Sequence, residues 1–428
     1  MQGRDGRIDT REELLYLLTM GAELEHGLSC LYLFTAFSVK TDPTEGGFSA
    51  EQSPMLKHWK RTLSSVAIDE MLHLAQVNNL ITALGGAPAF THPSFPMPAD
   101  EYPFGLALTL EPFSYGQACR LVAFELPEAL PGEMRDTYEH LRAALPEGLP
   151  GEQAATRGSG IEPFPIDFRT IGEFYRKIER ALKVLPEERL FIGPRESQVR
   201  GAFLDMETGL REVSDRASAL AAIDMIVEQG EGARVGTENS HFTRFDVMRR
   251  DYAAALEAAR AAGTEFAPAR PVVPNPVTRA RRSSAAALIT DPATHAVAEL
   301  FNLTYTTLLH VLMQLFDRDD ASGGEQKILG ATALGLMTSA IRPLGEGLTK
   351  MPFGTARPGM TAGPSFALSR DVQELPHRRA AWMVIDELLD EVSSAARELA
   401  FQDGMPDEIA AARDGIARIA EAFPRDYS

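Results

Sequence analysis

Cysteine is scarce in this chain: Cys30 and Cys119 are the two among 428 residues. Both fall in apolar, helix-patterned stretches, so no disulfide framework is implied and a reducing cytoplasm is the expected compartment. Positive charge is also short, with 42 Lys and Arg against 60 Asp and Glu, for a net charge of −18. That balance argues against nonspecific binding to nucleic acid or to an anionic membrane surface. The polar opening Met1-Gln2-Gly3-Arg4-Asp5 lacks the apolar core of a secretory signal. No run of about 18 apolar residues reads as a membrane span. β-alternation is nearly absent, with one short candidate strand at Leu106 to Leu110. Gly46-Gly47 and Gly323-Gly324 lack the strand-to-helix setting that phosphate binding needs. What remains is an ordinary globular composition, 44% hydrophobic and 24% charged, in a chain long enough for two or three domains.

Helical signals dominate. The Thr10 to Glu13 capping box opens a first helix that runs to about Lys40. Ser53 and Pro54 suit the start of a second, which stops at Gly85-Gly86-Ala87-Pro88. Ser114-x-x-Gln117 caps a third, to about Leu126, and Thr170-x-x-Glu173 caps a fourth, to about Leu182. The stretch Pro127 to Pro165 reads mostly as loop. Helical pattern returns from Ser214 to Gln229, breaks at Gly230-Glu231-Gly232, and resumes from about Glu238 to Ala262. Residues 265–284, with Pro268, Pro271, Pro274, Pro276 and the basic run Arg279-Ala280-Arg281-Arg282, read as a linker. The expected organisation is therefore an N-terminal domain over 1–264 and a smaller helical domain over 285–428. In the latter, Ala285 to Phe316, Gln326 to Leu344 and Arg378 to Phe401 are helical in pattern.

The most informative stretch is Asp69-Glu70-Met71-Leu72-His73. Leu63, Val66, Glu70, His73, Val77, Leu80 and Leu84 recur at spacings of three and four, the seam of a helix facing other helices. A carboxylate and an imidazole thus occupy positions that the pattern reserves for buried apolar groups. Burying them without partners costs several kcal/mol, and a bound metal would compensate. Glu-x-x-His projecting into a helix bundle is the ligand pair of two-metal carboxylate sites.

Such a site needs further carboxylates and a second histidine. On the first helix Glu25 is in phase with Leu18, Leu28 and Tyr32, whereas Glu23 points elsewhere. Glu125 shares a face with Ala118 and Leu121 just before Pro127. Glu173 is explained by its capping role and Glu179 by a solvated face. His241 begins the seam Phe245, Met248, Tyr252 and so faces inward as His73 does. Its carboxylate partner is open: Glu228 on the far side of a loop, with Glu231 or Glu238 as alternatives. Asp69, one step off the seam, suits an outer group that orients an imidazole. Iron, or else manganese, fits a set of glutamates and two histidines without thiolates. Each metal would take one histidine, with one or two glutamates bridging. Tyr32, Phe34, Phe174, Tyr175, Phe242 and Phe245 lie on the same helices as candidates to line a substrate pocket, Tyr32, Tyr175 and Phe242 foremost. His295 and His310 read as core or interface histidines.

From Leu14 to Tyr252 the chain resembles the ferritin-like domain family named after the iminophenyl-pyruvate dimer synthases. The residues that carry the likeness are Leu24-Glu25-His26, Asp69 to His73, Asn78-Asn79-Leu80, Leu84 to Pro88 and Thr170 to Tyr175. Ile226 to Gly232 and Ser240-His241-Phe242-x-Arg244-Phe245 follow in order. The resemblance implies an all-α fold, a ferritin-like four-helix bundle with long insertions and a C-terminal helical domain, and a non-haem metal site. Named members oxidatively couple two imines derived from aromatic amino acids on the way to violacein and indolocarbazole pigments. Those enzymes are considerably longer than this chain, so the site is what the resemblance implies most directly.

The expected function is that of a dinuclear non-haem iron oxidase or oxygenase in secondary metabolism, acting on a small amino-acid-derived metabolite, an aromatic imine among the options. Glu25, Glu70, His73, Glu125, Glu228 and His241 are the expected ligands. The expected partners are a small-molecule substrate and dioxygen, without nucleic acid or membrane; a homodimer is compatible with the sequence. The rival expectation is a metal-binding or storage bundle without catalysis, distinguished by a hydrophilic channel in place of an apolar pocket.

Overall fold

The computed structural model describes residues 8–90, 95–97, 106–127, 138, 168, 170–200, 210–230, 239–279, 287–316, 323–368, 372, 374–399 and 404–425. Two long helices, α1 (Arg11–Ser38) and α2 (Ser53–Ala83), form the dominant hairpin. The Thr10–Glu13 capping box starts α1 as its sequence implies. A 3-10 turn, Ala50–Gln52, leads into α2, so Ser53 lies inside the first turn and its hydroxyl donates to the Thr41 carbonyl. A second pair is made by α3 (Tyr115–Phe124) and α6 (His241–Ala262). Between them in sequence, α4 (Ile171–Val184) and α5 (Arg216–Gln229) pair with each other and reach α1 and α2 respectively.

The second half comprises α7 (Pro292–Phe316), α8 (Gly323–Leu336), a π-helical turn Met337–Ile341 leading into α9 (Arg342–Leu348), α10 (Arg378–Leu399) and α11 (Asp407–Ala422). The sequence pattern did not single out α11. No β-strand occurs among the described residues, and the expected strand at Leu106–Leu110 reduces to one bridge between Met97 and Leu108. Most of Pro127–Pro165 lies outside the described residues.

Two stretches, Pro292–Phe316 and Gly324–Leu348, are long and apolar enough to cross a membrane by length and composition, contrary to the sequence expectation. In the first, 78% of the most apolar window is buried within the protein, and in the second 44%. Thr294, Asn302, Thr304, Thr307 and Gln314 are buried along α7. The Thr304 and Thr307 hydroxyls return their hydrogen bonds to carbonyls one turn back, as a protein interior demands. α7 is accordingly the central helix of its half.

The Pro-rich stretch is bonded to both halves. Arg270 N donates to Ser38 O, Thr361 N to Pro271 O and Val273 N to Thr361 O, and Val272 and Val273 are buried. The Arg270 guanidinium is buried against Glu45, with Nη1 on the Phe37 carbonyl and the Thr349 hydroxyl. Asn275, at φ 45°, exchanges two hydrogen bonds with the Leu110 backbone. Residues 268–278 therefore run as an extended tie whose backbone partners come from both halves, and the buried apolar side chains form one continuous cluster across them. This double burial explains why the C-terminal part of α1 is buried on nearly every side. One face meets the bundle and the opposite face meets the second half.

Candidate metal centre

Five side chains converge in the bundle: Glu25 from α1, Glu70 and His73 from α2, Glu125 at the C-cap of α3, and His241 at the first position of α6. All are at most 2% exposed. Glu70 stands at the centre. Its Oε2 is 2.9 Å from His73 Nδ1 and its Oε1 is 3.1 Å from His241 Nδ1. Glu25 Oε2 lies 3.5 Å from His73 Nδ1, and Glu125 Oε2 lies 3.5 Å from His241 Nδ1. Glu25, Glu70 and His73 form one set, and Glu70, Glu125 and His241 another, each with one ligand atom per residue within 4.8 Å of the others. The two imidazole centroids are 5.7 Å apart.

Outer groups hold this arrangement. The Tyr175 hydroxyl donates to Glu25 Oε1, and the Tyr32 hydroxyl donates to Glu125 Oε1 at 2.5 Å. Tyr175 reaches across Gly21, one turn before Glu25, where a β-carbon would stand 3.2 Å from Phe174 Cε1 and 3.4 Å from the Tyr175 hydroxyl. His241 Nε2 faces Asp69 Oδ2 at 3.2 Å, and the Arg244 Nη1 donates to the same oxygen at 3.0 Å. His73 Nε2 faces Gln229 Oε1 at 3.1 Å. Oxygen acceptors on both Nε2 atoms hold one ring proton there, so loss of the Nδ1 proton on metal binding would leave the Nδ1 lone pairs facing inward, the tautomer that a metal requires.

The structure leaves Glu228 out of the cluster. Val227 and Ile226 turn inward on α5, so Glu228 is exposed on the outer side. The neighbouring Gln229 supplies the contact, and Gly230 lies so close that a β-carbon would stand 3.9 Å from His73 Cε1. Glu231 and Glu238 lie outside the described residues. Of the aromatic candidates, Tyr32 and Tyr175 touch the carboxylates, and Phe245 meets the Tyr32 ring edge-on at 5.2 Å. Phe242 instead packs on Tyr138, and Phe34 faces Gly363 in the second half. Thr170 caps α4 by accepting from the Glu173 backbone N–H, and Glu179 pairs with Arg176 and Lys183 at the surface. His295 Nε2 bonds the Thr278 carbonyl, and both cysteines are buried and free.

The electrostatics follow from burial against proximity. Burial raises Glu25, the nearby Glu70 charge adds to it, and its carboxyl is pushed up to about 8 despite His73. Burial alone would lower His73, but Glu25 and Glu70 push it up to about 10. His241 is raised well above the ordinary imidazole value: Glu70 and Glu125 overcome its burial. Burial acts to raise Glu70, yet two adjacent imidazoles hold it well below the usual carboxylate range. Glu125 is raised by burial.

Do these residues fit a metal? Glu125 Oε2 and His241 Nδ1 are fully buried and approach charged neighbours, but neither makes a well-formed hydrogen bond, which is unusual for buried polar atoms. A cation bound by both would satisfy them. The donor set of three carboxylates and two imidazoles suits iron or manganese, and the residues fit.

Metal uptake must displace protons from Glu25, His73 and His241. Affinity is therefore expected to rise with pH through about 8, where Glu25 loses its proton, and on through about 10, where His73 does, with proton release measurable by indicator dye during anaerobic Fe(II) titration. The metal-free protein should move the other way. Glu25 and His73 both have folded-state values above their ordinary ones. Their stabilisation is present below the ordinary values of 4.5 and 6.5 and is lost as pH rises through about 8 and about 10. An uptake that is independent of pH would contradict this protonation pattern.

Residues 18–250 match the family model described as Ferritin-like. The chain belongs to the ferritin-like family. Among curated proteins, it is 30% identical to dichlorochromopyrrolate synthase of Lentzea aerocolonigenes over a 461-position alignment covering 98% of this chain and 42% of the relative. It is 28% identical to 2-imino-3-(indol-3-yl)propanoate dimerase of Chromobacterium violaceum over 383 positions, covering 84% of this chain and 34% of the relative. The ferritin-like chain thus spans well under half the length of these two proteins. Among solved structures, a ferritin-like protein from Caulobacter vibrioides aligns with a TM-score of 0.42 at 21% identity, over 77% of this chain and 96% of that one.

Proposed function

We propose that this ferritin-like protein is a dinuclear non-haem iron enzyme that uses dioxygen to oxidise a small aromatic metabolite derived from an amino acid, an imine being the preferred substrate class. The observation that carries this reading is Glu70, which offers a separate oxygen to each of two inward-facing imidazoles. Glu25, Glu70 and His73 would hold one iron, and Glu70, Glu125 and His241 the other. Two irons bound there supply the one-electron steps and the dioxygen chemistry that these side chains lack. The chain's own part is geometric. Tyr175 and Tyr32 fix the outer carboxylates, while Phe174 and Phe245 pack against those tyrosines and exclude water. The substrate class is supported by the relatives, which are named as a dichlorochromopyrrolate synthase and a dimerase of an indolyl imine.

The test starts from protein purified without added metal and loaded anaerobically with Fe(II). About two irons per chain are expected, with oxygen consumption beyond that of the amino-acid oxidase alone when aromatic imino acids are generated in situ by that oxidase in the presence of catalase. Fewer than one iron per chain would sink the metal reading. Stable iron with no oxygen consumption beyond that of the oxidase alone would favour storage or simple metal binding instead.

A further inference from the structure

The two halves of the cluster match closely in their inner distances and differ in the outer partner of each imidazole. Each Nδ1 faces one oxygen of Glu70 at about 3 Å and one outer glutamate at 3.5 Å. A tyrosine hydroxyl donates to each of those outer glutamates. Beyond the rings the symmetry breaks. Asp69, a carboxylate, accepts from His241 Nε2, whereas Gln229, a neutral amide, accepts from His73 Nε2. A carboxylate on the outer nitrogen draws its proton away and makes the imidazole a more basic ligand, while an amide fixes the tautomer with a weaker, uncharged bond. Arg244 donates to the same Asp69 oxygen and, through Nη2, to Ser65 and the Thr62 carbonyl on α2. The carboxylate is therefore locked in place against the ring.

We infer that the two metal positions are unequal, the one built from Glu70, Glu125 and His241 filling before the one built from Glu25, Glu70 and His73. Asp69 and Gln229 are the positioning residues that set this order. The inference rests on the metal reading proposed above and adds a sequence of loading to it. It concerns residues that bear on the metals only through the histidines, so the readout is affinity and spectroscopy, with no need for turnover.

The experiment is anaerobic calorimetric titration of the full metal-free chain with Fe(II), paired with Mössbauer spectra of 57Fe at one and two equivalents. The wild type should bind in two steps separated by roughly 10- to 100-fold, the size of outer-partner effects on metal affinity. The second equivalent should bring a new quadrupole doublet. Asp69→Asn should weaken the first step alone by about that factor, and Gln229→Glu should tighten the second alone. The double variant D69N/Q229E keeps the wild-type net charge and should restore two separated steps. Two equal steps in the wild type, or equal weakening of both by Asp69→Asn, would overturn the inference. If Asp69→Asn fails to fold, Gln229→Glu carries the test alone, and an unchanged second step overturns it. Absence of iron uptake by the wild type overturns the metal reading itself, a result seen before any variant is compared.

Discussion

Glu70→Ala is expected to empty both metal positions at once, whereas Glu25→Ala or Glu125→Ala should each empty one. The difference follows from connectivity: Glu70 approaches both imidazoles through separate oxygens, and each outer glutamate approaches a single imidazole. Metal content after anaerobic Fe(II) loading and desalting reads this directly. The expected values are near zero for Glu70→Ala and near half the wild-type content for the outer variants. Retention of either equivalent by Glu70→Ala would refute the shared role. In the metal-free protein Glu70 also balances two buried imidazoles. Removing one partner of a buried ion pair costs about 3–5 kcal/mol, so the variant should also melt earlier. Glu70→Gln, which preserves volume and can still accept a hydrogen bond, separates the two effects. It should lose metal while losing less stability.

Most of this centre was legible in the sequence because helical phase is an absolute geometric constraint. Glu25, Glu70, His73 and His241 each fall in register with apolar neighbours that the core demands, and the structure brings all four together with Glu125. Glu228 shows where that logic fails. Pairing Glu228 with His241 across the intervening residues ignored the phase of α5 itself, in which Ile223, Ile226 and Val227 already define the inward face. Gln229, which serves His73, lies in the Ile226 to Gly232 stretch that carries the family likeness, but it has no charge and its residue type did not mark it as a histidine partner. Asp69 sat one step off the seam, and that offset is what lets it reach the outer nitrogen of His241 on a neighbouring helix. The tyrosines were legible as aromatics near the site, but hydroxyl direction depends on packing between helices that are distant in sequence. Prolines left the domain division open for a related reason. A proline removes a donor and fixes φ, which marks extended backbone as readily as it marks a linker. Only the partners of Arg270, Val273 and Asn275 show that this extended backbone is buried.

Phe37→Ala should destabilise both halves of the molecule together, by about 3–5 kcal/mol, the usual cost of deleting a buried aromatic ring. Phe37 is buried at the end of α1 and its ring lies on Gly345 of α9, where a β-carbon would stand 2.4 Å from Cε2. Phe34 packs likewise on Gly363, and the His26 imidazole bonds the Tyr305 hydroxyl of α7. One helix thus carries Glu25 on its bundle side and the contacts of the second half on the other. The chain holds a natural pair of reporters for this coupling. Trp59 on α2 stacks on Tyr252 in the bundle, and Trp382 on α10 stacks on Phe423 in the second half. The sequence contains no other tryptophan. Denaturant unfolding of Trp59→Phe follows the second half alone, and unfolding of Trp382→Phe follows the bundle alone. With a single core, the two transitions should coincide and shift to lower denaturant by equal amounts when Phe37→Ala is added. A bundle that unfolds on its own, leaving the Trp382 transition in place, would restore the two-domain division that the proline-rich stretch suggested. If the transitions do coincide, the second half is part of the scaffold that holds α1, and with it Glu25, in register with His73.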